Sequence, residues 1–407
     1  MKKTKFLIRT LCCASVIACH FSSAYANGFR LPEYSSAGVA TANALVADAS
    51  RISAVAYNPA IMSLYNYKDN NNLFSASYIN VNYETEVSTS SQTTQGTGQS
   101  SFDVPGLFVG TQISEQLSFG LLLHSPFGLE TDWPTGTFSA FGGTQSLEPS
   151  LSRIKMYNAN FNFSYKVASG TAIALGINQY HLLDLRFNTQ ATEIKGTGTG
   201  YGWNAALITQ VTPNTTFGLS YRSTVQALAT GTAAGVLPIE LEVTFPEMLT
   251  LGLNIAFTDA LNLEFDIEHT GWHVFDKLEI NNRTNGANVT TSTNNWKDTL
   301  TYRTSAQYQI NKHQLLFGYA YDETPQGDSK YSARIPDADR QLFSIGYQYD
   351  FGNFQFETGL MLVKFNNRTV NSSTTYVAGS EANGTSAYNG TYRSSATVLS
   401  VGINTTF

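Results

Sequence analysis

Few residues in this chain are spaced for chemistry. His269 and His273 stand four apart, a spacing that on a helix would bring two imidazoles to one metal ion. The sequence around them alternates like a strand, where four residues span about 13 Å, too far for one ion. His124-Ser125 offers the base and nucleophile of a hydrolase. An adjacent pair without a third group is weak support, and Pro126-Phe127-Gly128 beside it reads as a structural break. Gly196-Thr197-Gly198-Thr199-Gly200-Tyr201-Gly202 superficially resembles a phosphate loop. No helix pattern follows it, and Trp203-Asn204-Ala205-Ala206-Leu207 continues as strand, so the glycines are expected to let an internal segment approach closely. The expectation is a protein that is not an enzyme, with no catalytic residue, no metal and no cofactor.

The elements that hold these residues are more telling. Of 407 residues only 13% are charged, while 13% are aromatic, including 22 Tyr and 25 Phe. Beyond the N-terminus no segment approaches the ~18 apolar residues of a membrane helix. Apolar residues instead fall on alternate positions. Leu263, Phe265 and Ile267 oppose Glu264, Asp266 and Glu268; Tyr157, Phe161, Phe163 and Tyr165 oppose Asn158, Asn160, Asn162 and Ser164. Ile173, Leu175 and Ile177, and Leu399, Val401 and Ile403, repeat the pattern. Low charge and many aromatics on alternating strands point to a transmembrane β-barrel. The net charge of −6 gives no support to nucleic-acid binding.

Connections support the same architecture. Short turns at Ser114-Glu115-Gln116, Ala168-Ser169-Gly170, Thr212-Pro213-Asn214, Thr258-Asp259-Ala260, Asn311-Lys312-His313 and Phe351-Gly352-Asn353 alternate with longer polar stretches. The long stretches are 88–101, 129–152, 188–197, 231–238, 273–298, 323–337 and 366–391. This arrangement predicts about fourteen antiparallel strands, with both chain ends in the periplasm. Phe407, closing an alternating strand, suits a signal for the barrel assembly machinery.

The first 26 residues read as a secretory signal. Lys2, Lys3 and Lys5 precede an apolar run, and Ala24-Tyr25-Ala26 supplies small residues for cleavage. Val16-Ile17-Ala18-Cys19 leaves open a lipoprotein site instead. Cys12, Cys13 and Cys19 all lie in this stretch, so no disulfide is expected in the mature chain. Residues 27–66, rich in Ala and ending near Asn58-Pro59-Ala60, do not read as strand. They are expected to form short helices plugging a barrel made by residues 67–407.

Several motifs converge on one family. Asn27-Gly28-Phe29-Arg30-Leu31-Pro32-Glu33-Tyr34-Ser35-Ser36 resembles the mature N-terminus of the long-chain fatty acid transporters of the outer membrane, the FadL family. Asn58-Pro59-Ala60 is similar to their hatch motif, and Phe127-Gly128-Leu129-Glu130-Thr131-Asp132-Trp133 to the kink in their third strand. Gly202-Trp203-Asn204-Ala205, Tyr221-Arg222-Ser223, Phe245-Pro246-Glu247-Met248 and Arg334-Ile335-Pro336-Asp337-Ala338-Asp339-Arg340 follow in the same order. The long surface loops depart most from the family.

The resemblance implies a monomeric fourteen-stranded barrel in the outer membrane of a Gram-negative bacterium, in contact with outer-membrane lipid, with a hatch in its lumen. It implies passive uptake of a hydrophobic ligand, first among them long-chain fatty acids. Phe29 would sit at the inner ligand site, with Arg186 near the fatty acid carboxylate and Lys297 as a second cation. A cation in an apolar passage can pair with a carboxylate while aromatics hold the chain. Asn58, Pro59 and Ala60 would form either a rigid turn that keeps the hatch shut or a hinge that opens it. Asp322, Asp337, Asp339 and Arg340 read as structural ion pairs of the lumen. Pro126, Phe127 and Gly128 would mark a lateral opening at the end of the third strand, 117–127, because proline cannot donate to the ladder and glycine permits a bend.

Other readings stay open at this level. The same fold could carry aromatic or alkane hydrocarbons. An adhesin or structural barrel would keep the strands but need no plug, and a lipid hydrolase would need a nucleophile–base constellation that the sequence does not show.

Overall fold

The computed structural model describes residues 27–67, 70–97 and 101–407. The signal-peptide and lipoprotein readings therefore lie outside the described residues. Fourteen antiparallel strands close on themselves. The first half comprises β1 (Asn72–Ser88), β2 (Ser101–Asp103 and Gly106–Gln112), β3 (Leu117–His124 and Leu129–Asp132), β4 (Pro149–Ala168), β5 (Thr171–Thr189), β6 (Ile194–Thr212) and β7 (Thr215–Arg222 and Val225–Ala233). The second comprises β8 (Leu237–Phe245 and Met248–Ala256), β9 (Leu261–Thr270 and Lys277–Asn282), β10 (Asn288–Thr293 and Thr299–Ile310), β11 (His313–Asp322), β12 (Arg340–Asp350), β13 (Phe354–Phe365 and Arg368–Val370) and β14 (Gly390–Thr406). Each strand pairs with its neighbour in sequence, and β1 pairs with β14 from Leu73↔Thr406 to Ser88↔Thr391. Closure leaves no edge to be satisfied in lipid.

The alternation is inside out relative to a soluble protein. On β9, Phe265 is 50% exposed, whereas Glu264 is 0% exposed. Apolar side chains thus face lipid, and polar ones line a lumen where they must find partners. On β4, β5 and β6 those partners are each other. Asn158 donates to Asn178 at 2.8 Å, Asn160 to Asn204 at 2.7 Å, and Asn204 to Asn162 at 2.7 Å. Arg222 joins them through Asn178 at 3.2 Å and reaches the Ala56 carbonyl at 3.0 Å.

The segment before β1 fills the lumen. It contains one short helix, α1 (Ser36–Ala40), and 3-10 turns at Ile52–Ala56 and Pro59–Ser63. Ser35 caps α1 by accepting the Gly38 N–H at 3.2 Å. Backbone groups that a helix would have satisfied are satisfied by the wall instead. Asp266 accepts the N–H groups of Leu45 (3.1 Å) and Val46 (3.3 Å), and Glu264 accepts that of Ala47 (2.7 Å). On another side Arg51 bridges Asp48 (2.7 Å) and Gln307 (2.6 Å).

The wall's close approach to this segment does not use the Gly196–Gly202 run. A Cβ on Gly198 or Gly200 would strike the backbone of β7, at Leu228 and Gln226. Glycines of other strands meet the plug: Gly218 faces the Val46 carbonyl, and Gly318 faces Thr41 and Ala42. Strand sequence alone does not say which neighbour crosses closest.

All six short turns fall between strands as expected, but most long loops are shorter than the sequence suggests. β4, β5 and β6 run for 20, 19 and 19 residues, about twice what a bilayer needs. The chain reverses at 190–193, 234–236 and 283–287. Above the bilayer the pattern reverses: Lys155 and Lys195 face water while Ile154, Leu185 and Ile194 are buried inside, so the pairing continues after the lipid-facing alternation ends.

Candidate functional site

β3 is interrupted at residues 125–128. Below the break, β2 and β3 pair from Gln112↔Ser118 to Leu107↔Leu123. Above it, the Asp132 backbone N–H donates to the Gly96 carbonyl at 3.0 Å. Between these contacts no ladder joins β2 to β3 among the described residues, so the wall has a gap. The N-terminal segment covers it from inside. Leu31 donates its N–H to the Pro126 carbonyl at 2.9 Å, Gly128 donates to the Phe29 carbonyl at 3.0 Å, and Arg30 and Phe127 form an antiparallel bridge. Gly128 leaves room for the Leu31 side chain, which a Cβ there would strike. Pro126 has no N–H to strand in the gap.

Phe29 sits at the centre of an aromatic cluster. Its ring centroid lies 4.8 Å from Trp272, 5.3 Å from Phe275, 5.6 Å from Trp296 and 5.9 Å from Phe127. The backbone on either side is fixed. Gly28 donates to Asp337 at 3.0 Å, and Arg30 pairs with Glu268 at 2.6 Å. Asp337 and Asp339 lie in the loop before β12. Burial pushes Asp337 up to about 6. Burial, together with the neighbouring Asp337, pushes Asp339 up to about 7.

A cavity of about 600 Å³ opens at the gap, within the range of small-molecule sites. Its lining includes Phe29, Phe127, Tyr83 and Phe365 from the lumen. It also includes Lys155 and Leu183, which strand alternation places on the outer face. Of the sequence-derived residues, the structure therefore brings Phe29, Phe127 and Gly128 together on one cavity, with Pro126 bonded to its cover.

Asn58, Pro59 and Ala60 lie deeper. Asn58 donates to the Val46 carbonyl (2.8 Å) and the Leu207 carbonyl (3.0 Å), and its Oδ1 accepts the Ala60 N–H at 3.1 Å. Pro59 opens the 3-10 turn, where its missing N–H costs nothing. The motif ties two parts of the plug to β6.

Arg186 and Lys297 are elsewhere. Arg186 lies on the face of β5 opposite the buried Leu185, because a bulge between Leu182 and Leu185 shifts the alternation. It pairs with Asp184 at 2.6 Å and with Glu193. Arg153 pairs with the same Asp184 and with Glu130, and Lys195 with Glu193, so three cations face three carboxylates. Lys297 is exposed on the loop before the second part of β10, where its N–H donates to the Pro325 carbonyl at 3.1 Å.

Asp322 and Arg340 form the expected lumenal pair at 2.9 Å. The distance argument for His269 and His273 does not hold. The strand ends at Thr270, a 3-10 turn follows at Trp272–Val274, and both rings turn toward Asp298, at 3.7 and 2.7 Å.

Arg334, present in a sequence motif but not singled out there, is buried in a second, smaller cavity of about 50 Å³. Its walls are largely apolar, including Leu185, Ile194, Leu241 and Leu278. Arg334 donates to Ser152 (3.0 Å) and the Asn188 carbonyl (2.8 Å) and stacks on Phe187 at 3.8 Å. Burial pulls it down to about 10, which still leaves it charged at neutral pH. No sequence signal separates this arginine from a solvated loop charge.

A plugged barrel with an apolar cavity behind a gap in its wall defines an outer-membrane passage rather than an open pore. The family described as outer membrane protein transport protein (OMPP1/FadL/TodX) matches residues 17–407, and the chain belongs to it. A long-chain fatty acid transport protein of Escherichia coli is 23% identical, with 86% of this chain and 89% of that protein covered. Outer membrane protein P1 of Haemophilus influenzae is 25% identical, with 84% and 86% covered. In structure the fold is similar to a FadL homologue of Pseudomonas aeruginosa, with a TM-score of 0.78 at 17% identity over 94% of this chain and 100% of that one. It is also similar to the toluene transporter TodX of P. putida, with a TM-score of 0.67 at 18% identity over 92% and 98%. The protein is a β-barrel of the Gram-negative outer membrane.

Proposed function

We propose that this barrel takes up hydrophobic small molecules, long-chain fatty acids first among them, by passive diffusion and releases them sideways through the gap at Pro126, Phe127 and Gly128. Residues 27–66 act as the hatch and 67–407 as the barrel once residues 1–26 are removed. Phe29 lines the ligand path, Arg186 borders its upper pocket, and Asn58, Pro59 and Ala60 hold the hatch in register. The observation that carries this reading is one cavity lined both from the lumen and from the outer face of the wall at the kink. A hydrophobic ligand gains nothing by entering the aqueous periplasm, because its apolar surface would be wetted again; leaving into lipid avoids that cost. The chain itself is expected to act without energy coupling and as a monomer.

Pro126→Thr with Gly128→Val restores a donor and straightens β3. The expected result is loss of fatty acid uptake while a heat-modifiable barrel still reaches the outer membrane. Normal uptake by this double variant would exclude the sideways route.

The ring cluster around Phe29 favours a second reading, in which the ligand is a monoaromatic hydrocarbon. Aromatic ligands pack edge-to-face against such rings, and the similar TodX is named as a toluene transporter. Uptake of fatty acid against toluene by a deletion strain carrying this chain separates the two.

A further inference from the structure

The cation that the family resemblance assigns to the ligand already has its charge matched. Arg186 belongs to the run Glu130–Arg153–Asp184–Arg186–Glu193–Lys195, in which every charge has an opposite neighbour. Arg334 differs. It is 7% exposed, its hydrogen bonds go to a hydroxyl and a carbonyl, and among the described residues no carboxylate pairs with it. Burying a charge without a counter-charge is costly, and two neutral acceptors with one ring recover only part of that.

Ser152, the Asn188 carbonyl and the Phe187 ring hold the guanidinium, and further bonds fix the backbone that carries it. The Thr131 hydroxyl donates to the Arg334 carbonyl at 2.9 Å, and the Trp133 indole donates to the Ala333 carbonyl at 2.8 Å. Both residues flank the upper part of the gap. The small cavity around Arg334 shares Leu129, Ile154 and Ile335 with the large one. An apolar path therefore leads from an unmatched buried cation to the break in the wall.

We propose that Arg334 is the anchor for the carboxylate of a long-chain fatty acid, whose alkyl chain lies along Leu129, Ile154 and Ile335 toward the large cavity. This rests on the uptake reading above and deepens it. The ligand supplies the counter-charge that the fold lacks, through a charge-assisted pair in an apolar setting. Because the guanidinium is held before the ligand arrives, little ordering remains to be done on binding. A neutral hydrocarbon would enter the same path but gain nothing from Arg334.

The test is equilibrium binding to the purified barrel in a nonionic detergent, with oleate and methyl oleate as probes. The wild type is expected to bind the acid more tightly than the ester. Arg334→Gln keeps a donor for Asn188 but removes the charge. It should weaken oleate binding about tenfold to a hundredfold and leave the ester within about twofold. Arg334→Lys should restore most of the preference for the acid. An Arg334→Gln barrel that is heat-modifiable, binds the ester normally and keeps the full acid preference would overturn the proposal and leave the uptake reading standing. A wild-type barrel that binds neither probe would overturn both.

Discussion

Leu31 donates its amide N–H to the Pro126 carbonyl at 2.9 Å, so a residue of the plug supplies a rung that the barrel wall lacks. With Gly128 bonded to Phe29, the N-terminal segment acts as a two-rung strand laid across a gap. Leu31→Pro removes the donor while keeping an extended backbone. The cover should loosen by about 1–3 kcal/mol, and cells should admit a hydrophobic fluorescent probe several-fold faster. Unchanged probe entry would mean that the segment does not seal the gap.

Asn58 satisfies two carbonyls and one N–H in the buried plug. Asn58→Ala leaves them without a side-chain partner, a local cost of about 2–4 kcal/mol. Hydrogen exchange should quicken at the amides of 46–62 while the strands stay protected. Faster exchange throughout the barrel would contradict a role confined to the plug.

Gly318 meets the backbone of Thr41 and Ala42 with no space for a Cβ. Gly318→Val should therefore displace the plug without preventing closure of the wall. Limited proteolysis is expected to cut the N-terminal segment in a barrel that still shows a strand-dominated far-UV spectrum. Continued protection would show that the plug can yield.

Asp337 and Asp339 hold protons at pH values where unfolded carboxyls, near 3.8, have lost them. Arg340 and Arg368 act on Asp337, and Arg368 and Lys297 on Asp339, but burial outweighs them. Their contribution to stability is thus fully present below about pH 4 and is lost as pH rises through 6 and 7. Asp339→Asn should flatten the fall of Tm between pH 5 and 8 relative to wild type. Identical slopes would remove Asp339 from this titration.

The membrane-embedded part of this fold is legible in the sequence because lipid imposes a period of two. Phe265 and Ile267 face out and Glu264 and Asp266 face in, and the chain states it residue by residue. The upper halves of β4, β5 and β6 are not legible, since there the apolar face turns inward at Ile154, Leu185 and Ile194 and the outer face meets water instead of lipid. The site is legible where it depends on backbone chemistry: Pro126 and Gly128 mark the break, and Asn58-Pro59-Ala60 marks the deep tie. It is not legible where it depends on who is nearby. The convergence of His269 and His273 on Asp298 needs a turn that alternation hides. The matched charge of Arg186 and the unmatched charge of Arg334 depend on contacts across strands and loops, which no local pattern encodes.

The gap in the wall is bounded by Leu107↔Leu123 below and by the Asp132–Gly96 bond above. It is a porthole rather than a seam. A tube splits when its hoops are cut along their whole height; here a continuous ladder remains below the gap, and the Asp132–Gly96 bond ties the wall above it. On the proposed sideways route a molecule would displace the plug's two rungs at Pro126 and Gly128 without unzipping the wall's own ladder. For that proposed route the frame would also set the criterion of size: it would limit the girth of a ligand passing end-on and leave its length free.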